Sequence, residues 1–280
     1  PAPNTSVNIR GHNTYLFFHL LPRTKHKKSL FPTRQTVVGY GCYTLMRDTL
    51  PVPDAFGSGG AMSRLARVVL PGISHHVTQR GVRSMPIFQH DADRLEYLRL
   101  LRKNAEKYGV RFMAYCLMTN HVHLVAIPER EDSLARGIGE AHKSYTRIMN
   151  FRLGVRGYLF QGRFFSCPMD DKYAMAAAAY AERNPVRAGM VDSPWKYLWS
   201  SAGFHAGFSG SDLLVENGDF MAGADEWREF LKRDPDGLDN MRAHFRTGRV
   251  LGTTEFEIEA ERISGRRLRP LPAGRKKSGK

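Results

Sequence analysis

The chain has 280 residues, 42% of them hydrophobic and 25% charged, a balance that supports one large or two modest folded domains and excludes wholesale disorder. Its 42 Lys and Arg against 27 Asp and Glu leave a net charge of +15, which favours polyanionic partners, meaning nucleic acid or an anionic membrane surface. No apolar run approaches the ~18 residues of a membrane span, and three scattered cysteines (Cys42, Cys116, Cys167) with no CxxC exclude a disulfide scaffold and a Cys-rich zinc module and fit a reducing cytoplasm.

Residues 1–61 lack a helical or strand period and end in Phe56-Gly57-Ser58-Gly59-Gly60-Ala61, a linker composition, directly before Met62-Ser63-Arg64. The expectation is an upstream extension, disordered or not native, followed by a domain over 62–205 and a C-terminal extension over 206–280. That extension is split in charge: thirteen acidic against six basic residues in 206–261, then eight basic and no acidic residues in 262–280. Its two halves could fold back on a basic face and cover a site there.

The stretch 73–80 is β-branched and bounded by turn residues, so a strand is expected. Leu95, Leu98, Leu101 and Ala105 recur at helical spacing before Gly109, giving a helix from Asp91 to Tyr108 with Asp91 or Asp93 near its cap. Strands over 110–118 and 121–127 flank the Thr119-Asn120 turn as a hairpin that Pro128 breaks. A long amphipathic helix runs from Ser133 to about Leu153 and ends at Gly154. A strand over 163–169 and an Ala-rich helix over 171–183 follow, with Asp170-Asp171 read as a helix cap. The order β-α-β-β-α-β is the ferredoxin-like, split βαβ pattern of the α+β class: an antiparallel sheet with helices on one face.

His121 and His123 alternate on the second hairpin strand, so both imidazoles project to the same side, where they could chelate a divalent metal or simply line a solvated face. Tyr145 lies in a cationic stretch of the long helix, between Lys143 and Arg147, where a phenol could act as nucleophile; an isolated helical Tyr is more often a core aromatic. Asn150 could offer a neutral oxygen to a metal, although five residues is an imperfect helical spacing. No GxSxG elbow and no Walker A loop occur.

Tyr115-Cys116-Leu117-Met118-Thr119-Asn120-His121-Val122-His123-Leu124 resembles the HUH strand of single-tyrosine transposases of the insertion-sequence type, and most closely that of the REP-associated tyrosine transposases. Ser144 to Asn150 resembles the nucleophile helix of that family, Leu159 to Phe164 the motif after it, and Asn184 to Val191 with Pro194 to Ser201 the end of the domain. The resemblance spans about 62–202. It implies cleavage of single-stranded DNA, in a hairpin beside a short guide, by a tyrosine that keeps a covalent 5′-phosphotyrosine while a divalent metal (Mg or Mn) polarises the phosphate. By position it makes Tyr145 the nucleophile, His121 and His123 metal ligands and Asn150 a third ligand, with His142 and Gln161 competing for that last role. Arg80, Arg147, Arg152, Gln161 and Arg163 are the candidate DNA contacts, with Tyr158 and Phe160 as base-stacking aromatics and Phe164 and Trp195 more suited to the core. The expected state is a monomer or homodimer without a membrane partner.

Overall fold

The computed structural model describes residues 67–216 and 223–269; the expected extension over 1–61, its boundary at Met62, Arg64 and the basic end of the chain lie outside them. The sheet is built from β1 (Ser74–Arg80), β2 (Val110–Leu117), β3 (His121–Pro128) and β4 (Phe165–Met169) in the order β2-β3-β1-β4, all neighbours antiparallel. With α1 (Asp91–Tyr108) between β1 and β2, and α2 (Ser133–Leu153) between β3 and β4, this is the ferredoxin-like α+β arrangement.

Local chemistry explains the elements. The side chain of Asp93 accepts from the backbone N–H groups of Gln89 (2.8 Å) and His90 (2.9 Å), closing the start of α1. Gly109 ends α1 at φ 66°, the left-handed conformation that suits glycine. Asp170 caps α3 (Asp171–Glu182) by accepting from the Tyr173 N–H at 2.9 Å, as the paired acids suggested. Pro128 does not break β3 but ends it: it pairs with Val110, and its carbonyl, which proline retains, accepts from Gly72 N–H at 2.8 Å. The fourth strand is shorter than expected, starting at Phe165, because Gly162 and Gln161 are spent bonding Gln79 and Arg80 at the end of β1.

Strand alternation divides the core. Val77, Val122 and Leu124 face α1 and α2 and pack with Leu98, Leu101, Ile138, Ala141 and Tyr145. Val125, Cys167 and Met169 face the other way. That second face is covered by α3 and by the C-terminal segment, whose α6 (Ala224–Phe230) and α7 (Leu238–Thr247) follow the one-turn helices α4 (Asn184–Arg187) and α5 (Ala202–His205). Trp227, Leu231, Met241 and Phe245 are buried there against Ala177, Ala178 and Val125. A last helix, α8 (Thr254–Ser264), packs with Val68, Leu70 and Val250. The split unit thus carries its two helices on one face, and the segment after β4 supplies the layer on the other.

Candidate active site

The site grows from two adjacent strands. His121 and His123 leave β3 on the face opposite α2, and their cross-strand partners on β1 are Arg80 and Thr78, which share that face. The two imidazole centroids lie 5.0 Å apart and edge-on, at 81°. His121 Nδ1 lies 2.6 Å from Asn120 Oδ1, and His123 Nδ1 lies 3.0 Å from Nε2 of His76, a buried residue of β1. Burial, then the Arg80 guanidinium, pushes the His121 ring down to about 3; burial, then the His121 ring, takes His123 well below its ordinary value. Both are neutral at physiological pH. If each Nδ1 carries the proton and donates, each Nε2 is left with a bare lone pair, the arrangement metal-ligating histidines adopt. The pair therefore fits a divalent cation. Among the described residues no cluster of three His, Cys, Asp or Glu side chains forms, so further ligands have to be amide, water or phosphate oxygen.

His76 is held from behind. Its ring stacks on Phe245 of α7, with centroids 3.7 Å apart and planes 25° apart, and burial keeps it neutral, down to about 3. The tyrosine beside this group is Tyr180, near the end of α3. Its ring lies 5.5 Å from that of His123, 6.1 Å from that of His76 and 5.6 Å from that of Phe245. Tyr180 is half-buried, and the Arg187 guanidinium sits over its ring at 4.3 Å. Arg187 also donates to the Tyr180 carbonyl (2.5 Å) and to Asp234 (2.9 Å), as Arg183 does to Asp234 (2.8 Å).

Tyr145 is not in this group. It sits in the core between the sheet and α1, its ring against Phe88, Tyr97 and Phe160 and its hydroxyl donating to the Ile87 carbonyl at 2.7 Å. The sheet separates it from His121 and His123, and burial, then the Asp93 charge, raises its phenol well above the ordinary value. Nucleophile by sequence, Tyr145 is by structure a core aromatic whose one polar atom is satisfied. The same face holds His142, whose Nε2 lies 2.7 Å from the Tyr97 hydroxyl. Asn150, the expected third ligand, donates to the Gly157 carbonyl at the far end of α2. Arg152, its side chain about half exposed, forms an ion pair with buried Asp93 that ties α1 to α2. Of the remaining expected contacts, Arg80 lies beside His121, and the exposed Gln161 is joined to it through the Gln161 N–H and Arg80 carbonyl (3.0 Å). Arg147 and Arg163 are exposed. Phe160 and Phe164 are buried, and Tyr158 is open to solvent.

The sequence did not single out Tyr180, the tyrosine whose ring lies beside the histidine pair. Asn184 and Arg187, one and two turns further on, share its side of the chain. Asn184 Nδ2 donates to the carbonyls of Tyr180 (3.1 Å) and Ala181 (3.2 Å), which leaves Oδ1 as a neutral oxygen beside the tyrosine.

No curated protein matches the chain. Among solved structures, a REP-associated tyrosine transposase bound to a REP hairpin is similar over 56% of this chain and 92% of its own, at 18% identity and a TM-score of 0.45. A crystal structure described as a transposase from Deinococcus radiodurans R1 is similar over 42% of this chain and 95% of its own, at 18% identity and a TM-score of 0.30. In sequence, residues 71–184 match the family described as "Transposase IS200 like", and this segment holds β1 to α3 with the histidine pair and Tyr180. Residues 71–184 are thus similar in sequence to an IS200-like transposase domain.

Proposed function

We propose that this protein is a metal-dependent, single-tyrosine DNA strand transferase of the REP-associated kind, with Tyr180 as nucleophile and His121 and His123 as metal ligands. The observation that carries the reading is the 5.5 Å separation of the Tyr180 and His123 rings on the face of the sheet opposite Tyr145. In the reaction the Tyr180 oxygen attacks a backbone phosphorus. The bond from phosphorus to the 3′ oxygen breaks, the 3′ oxygen takes up a proton, and the 5′ side stays on the enzyme as a phosphotyrosine. Attack by another 3′-OH reverses the step and joins strands without ATP.

A divalent cation such as Mg or Mn, when bound, polarises the scissile phosphate. His121 and His123 would hold it through Nε2, and Asn184 Oδ1, in place of Asn150, would add the oxygen that a hard cation prefers. Two imidazoles are a poor match for Mg alone, so affinity without DNA is expected to be weak. Arg80 and Gln161, beside His121, would receive the phosphates next to the cut, and Arg163 those further along. The substrate is single-stranded DNA folded as a REP-like hairpin, on the strength of the ordered motifs from Tyr115 to Ser201. Histidines and tyrosine come from one chain, so the site needs no second copy. We take 62–205 as the catalytic domain and 206–280 as its extension, with Phe245 of that extension completing the back wall.

The test is a labelled hairpin oligonucleotide incubated with Mn or Mg and resolved under denaturing conditions. A covalent adduct that disappears in Tyr180→Phe and persists in Tyr145→Phe supports this reading. DNA binding without any adduct would reduce the protein to a binding module, and cleavage that survives Tyr180→Phe would point to hydrolysis at the histidine pair.

A further inference from the structure

The end of α2 and the loop behind it carry large side chains that nothing in the fold uses. Phe151 is 90% exposed and Tyr158 87%, with Val155 and Leu153 about half exposed between them. A folded protein exposes single apolar residues freely, but two largely exposed aromatics on one short segment are a candidate binding surface. The segment is built, not loose. Gly154 turns the chain at φ 66°, the Val155 N–H donates to the Asn150 carbonyl at 3.0 Å, and Asn150 Nδ2 donates to the Gly157 carbonyl at 2.9 Å. Phe151 follows Asn150 and Tyr158 follows Gly157, so the bonded pair brings the two aromatic residues near each other along one ridge of the chain.

The charge around them is of one sign. From 141 to 169 the chain has five basic residues and no acidic one. Arg147 lies one helical turn before Phe151 on the same face, and with it lines a shallow depression. Neither Arg147 nor Arg156 forms an ion pair among the described residues. Beyond Tyr158 the chain runs to Gln161, bonded to Arg80 beside His121.

We infer that this ridge is a second binding surface, for single-stranded DNA: bases stack on Phe151 and Tyr158 while Arg147 and Arg156 neutralise phosphates. Stacking platforms set among cations are what sequence-tolerant single-strand binding requires. A second copy of the chain is the poorer occupant, because a two-fold contact through this ridge would press like-charged arginines together. The inference rests on the proposed function only for the direction of the strand, which would leave the cleavage site past Arg80 and Gln161 and cross the ridge.

The experiment measures binding of a fluorescent oligothymidylate to the full chain, in a Tyr180→Phe background without metal so that no chemistry is involved. The double change Phe151→Ala with Tyr158→Ala is expected to weaken binding by roughly tenfold per aromatic, and Phe151→Trp to restore it at that position. Arg147→Ala with Arg156→Ala should flatten the log–log salt dependence by about 1.4, from two lost phosphate contacts. All four residues are exposed, so thermal melts should coincide with the parent. Unchanged affinity in both double variants overturns the inference, as does an unchanged affinity with loss of a dimer in size-exclusion chromatography. Failure of the nuclease reading leaves a different trace: no adduct with the parent chain, while the ridge variants still lose affinity.

Discussion

Tyr145 shows how a single side chain is misplaced by its neighbours in sequence. Lys143 and Arg147 make its surroundings look cationic, yet both point to solvent, while Leu134, Ile138, Ala141, Tyr145 and Met149 form one buried stripe three to four residues apart. That stripe was legible in the sequence and assigns the phenol to the core. Tyr145→Phe should therefore leave the covalent adduct intact and cost about 1–3 kcal/mol in stability, because the Ile87 carbonyl loses its buried donor; chemical denaturation checks this, and an inactive but fully stable variant would contradict it. The histidine pair was legible for the opposite reason, since alternation along a strand needs no tertiary information. What no spacing could give is His76, 47 residues from His123 in sequence and 3.0 Å away in space. His76→Phe removes the ring nitrogen bonded to His123 Nδ1 and should weaken Mn binding by about 10–100-fold in a calorimetric titration, with His76→Gln recovering part of the loss.

The helices differ in how openly they declare their roles. Both α1 and α2 have one apolar stripe and glycine ends, so their limits could be read to the residue. In contrast, α3 is a run of alanines, and the polar stretch from Tyr180 at its end to Arg187 in α4 lacks any period that marks a site; its meaning comes from where the sheet and the C-terminal segment place it. The end of α3 is clamped by Glu182, a fully buried carboxylate that accepts from Ser201 Oγ (2.5 Å), His205 Nδ1 (2.6 Å) and Trp227 Nε1 (2.9 Å). Burial alone would lower the His205 imidazole, but the Glu182 charge and hydrogen bond outweigh it, and the net shift is upward. A histidine raised in the fold adds stability that is whole below the unfolded value of about 6.5 and fades as pH climbs through the folded value. The stability difference between the parent and Glu182→Gln should accordingly be largest near pH 6 and shrink toward pH 9. Parallel curves across that range would mean that His205 is not charged in the fold. Two residues from Tyr180, this clamp also predicts that Glu182→Gln slows adduct formation without changing oligonucleotide affinity, readable as a rate against a binding constant.

At the scale of the molecule, the C-terminal segment is structural before it is anything else. Sequence charge suggested a cover that folds back on a basic face; in the structure, Trp227, Leu231, Met241 and Phe245 are the second layer of the core. Removing everything after Ala202 should leave that face of the sheet open to water and give aggregated protein, where a mere cover would leave a soluble, more active domain. Hydropathy could not reveal this, because the segment reads as acidic and its few apolar residues are scattered among charges. The same two-sided core buries several histidines. His75, His76, His123 and His142 are buried, and burial, the leading cause for each, lowers all four, to about 4 for His75, about 3 for His76 and His142 and well below the ordinary value for His123. Lowered histidines work opposite to His205: the unfolded chain takes up their protons below about 6.5 while the fold refuses them, so stability falls with pH. At pH 5 this is worth at most about 2 kcal/mol for a single histidine, against a typical net stability of ~5–15 kcal/mol. An acid titration followed by circular dichroism should therefore show an unfolding midpoint to which these histidines contribute. His142→Gln, which keeps an acceptor for the Tyr97 hydroxyl on the face away from the candidate site, should shift that midpoint to lower pH; a midpoint that stays in place would mean that His142 already carries its proton in the native state.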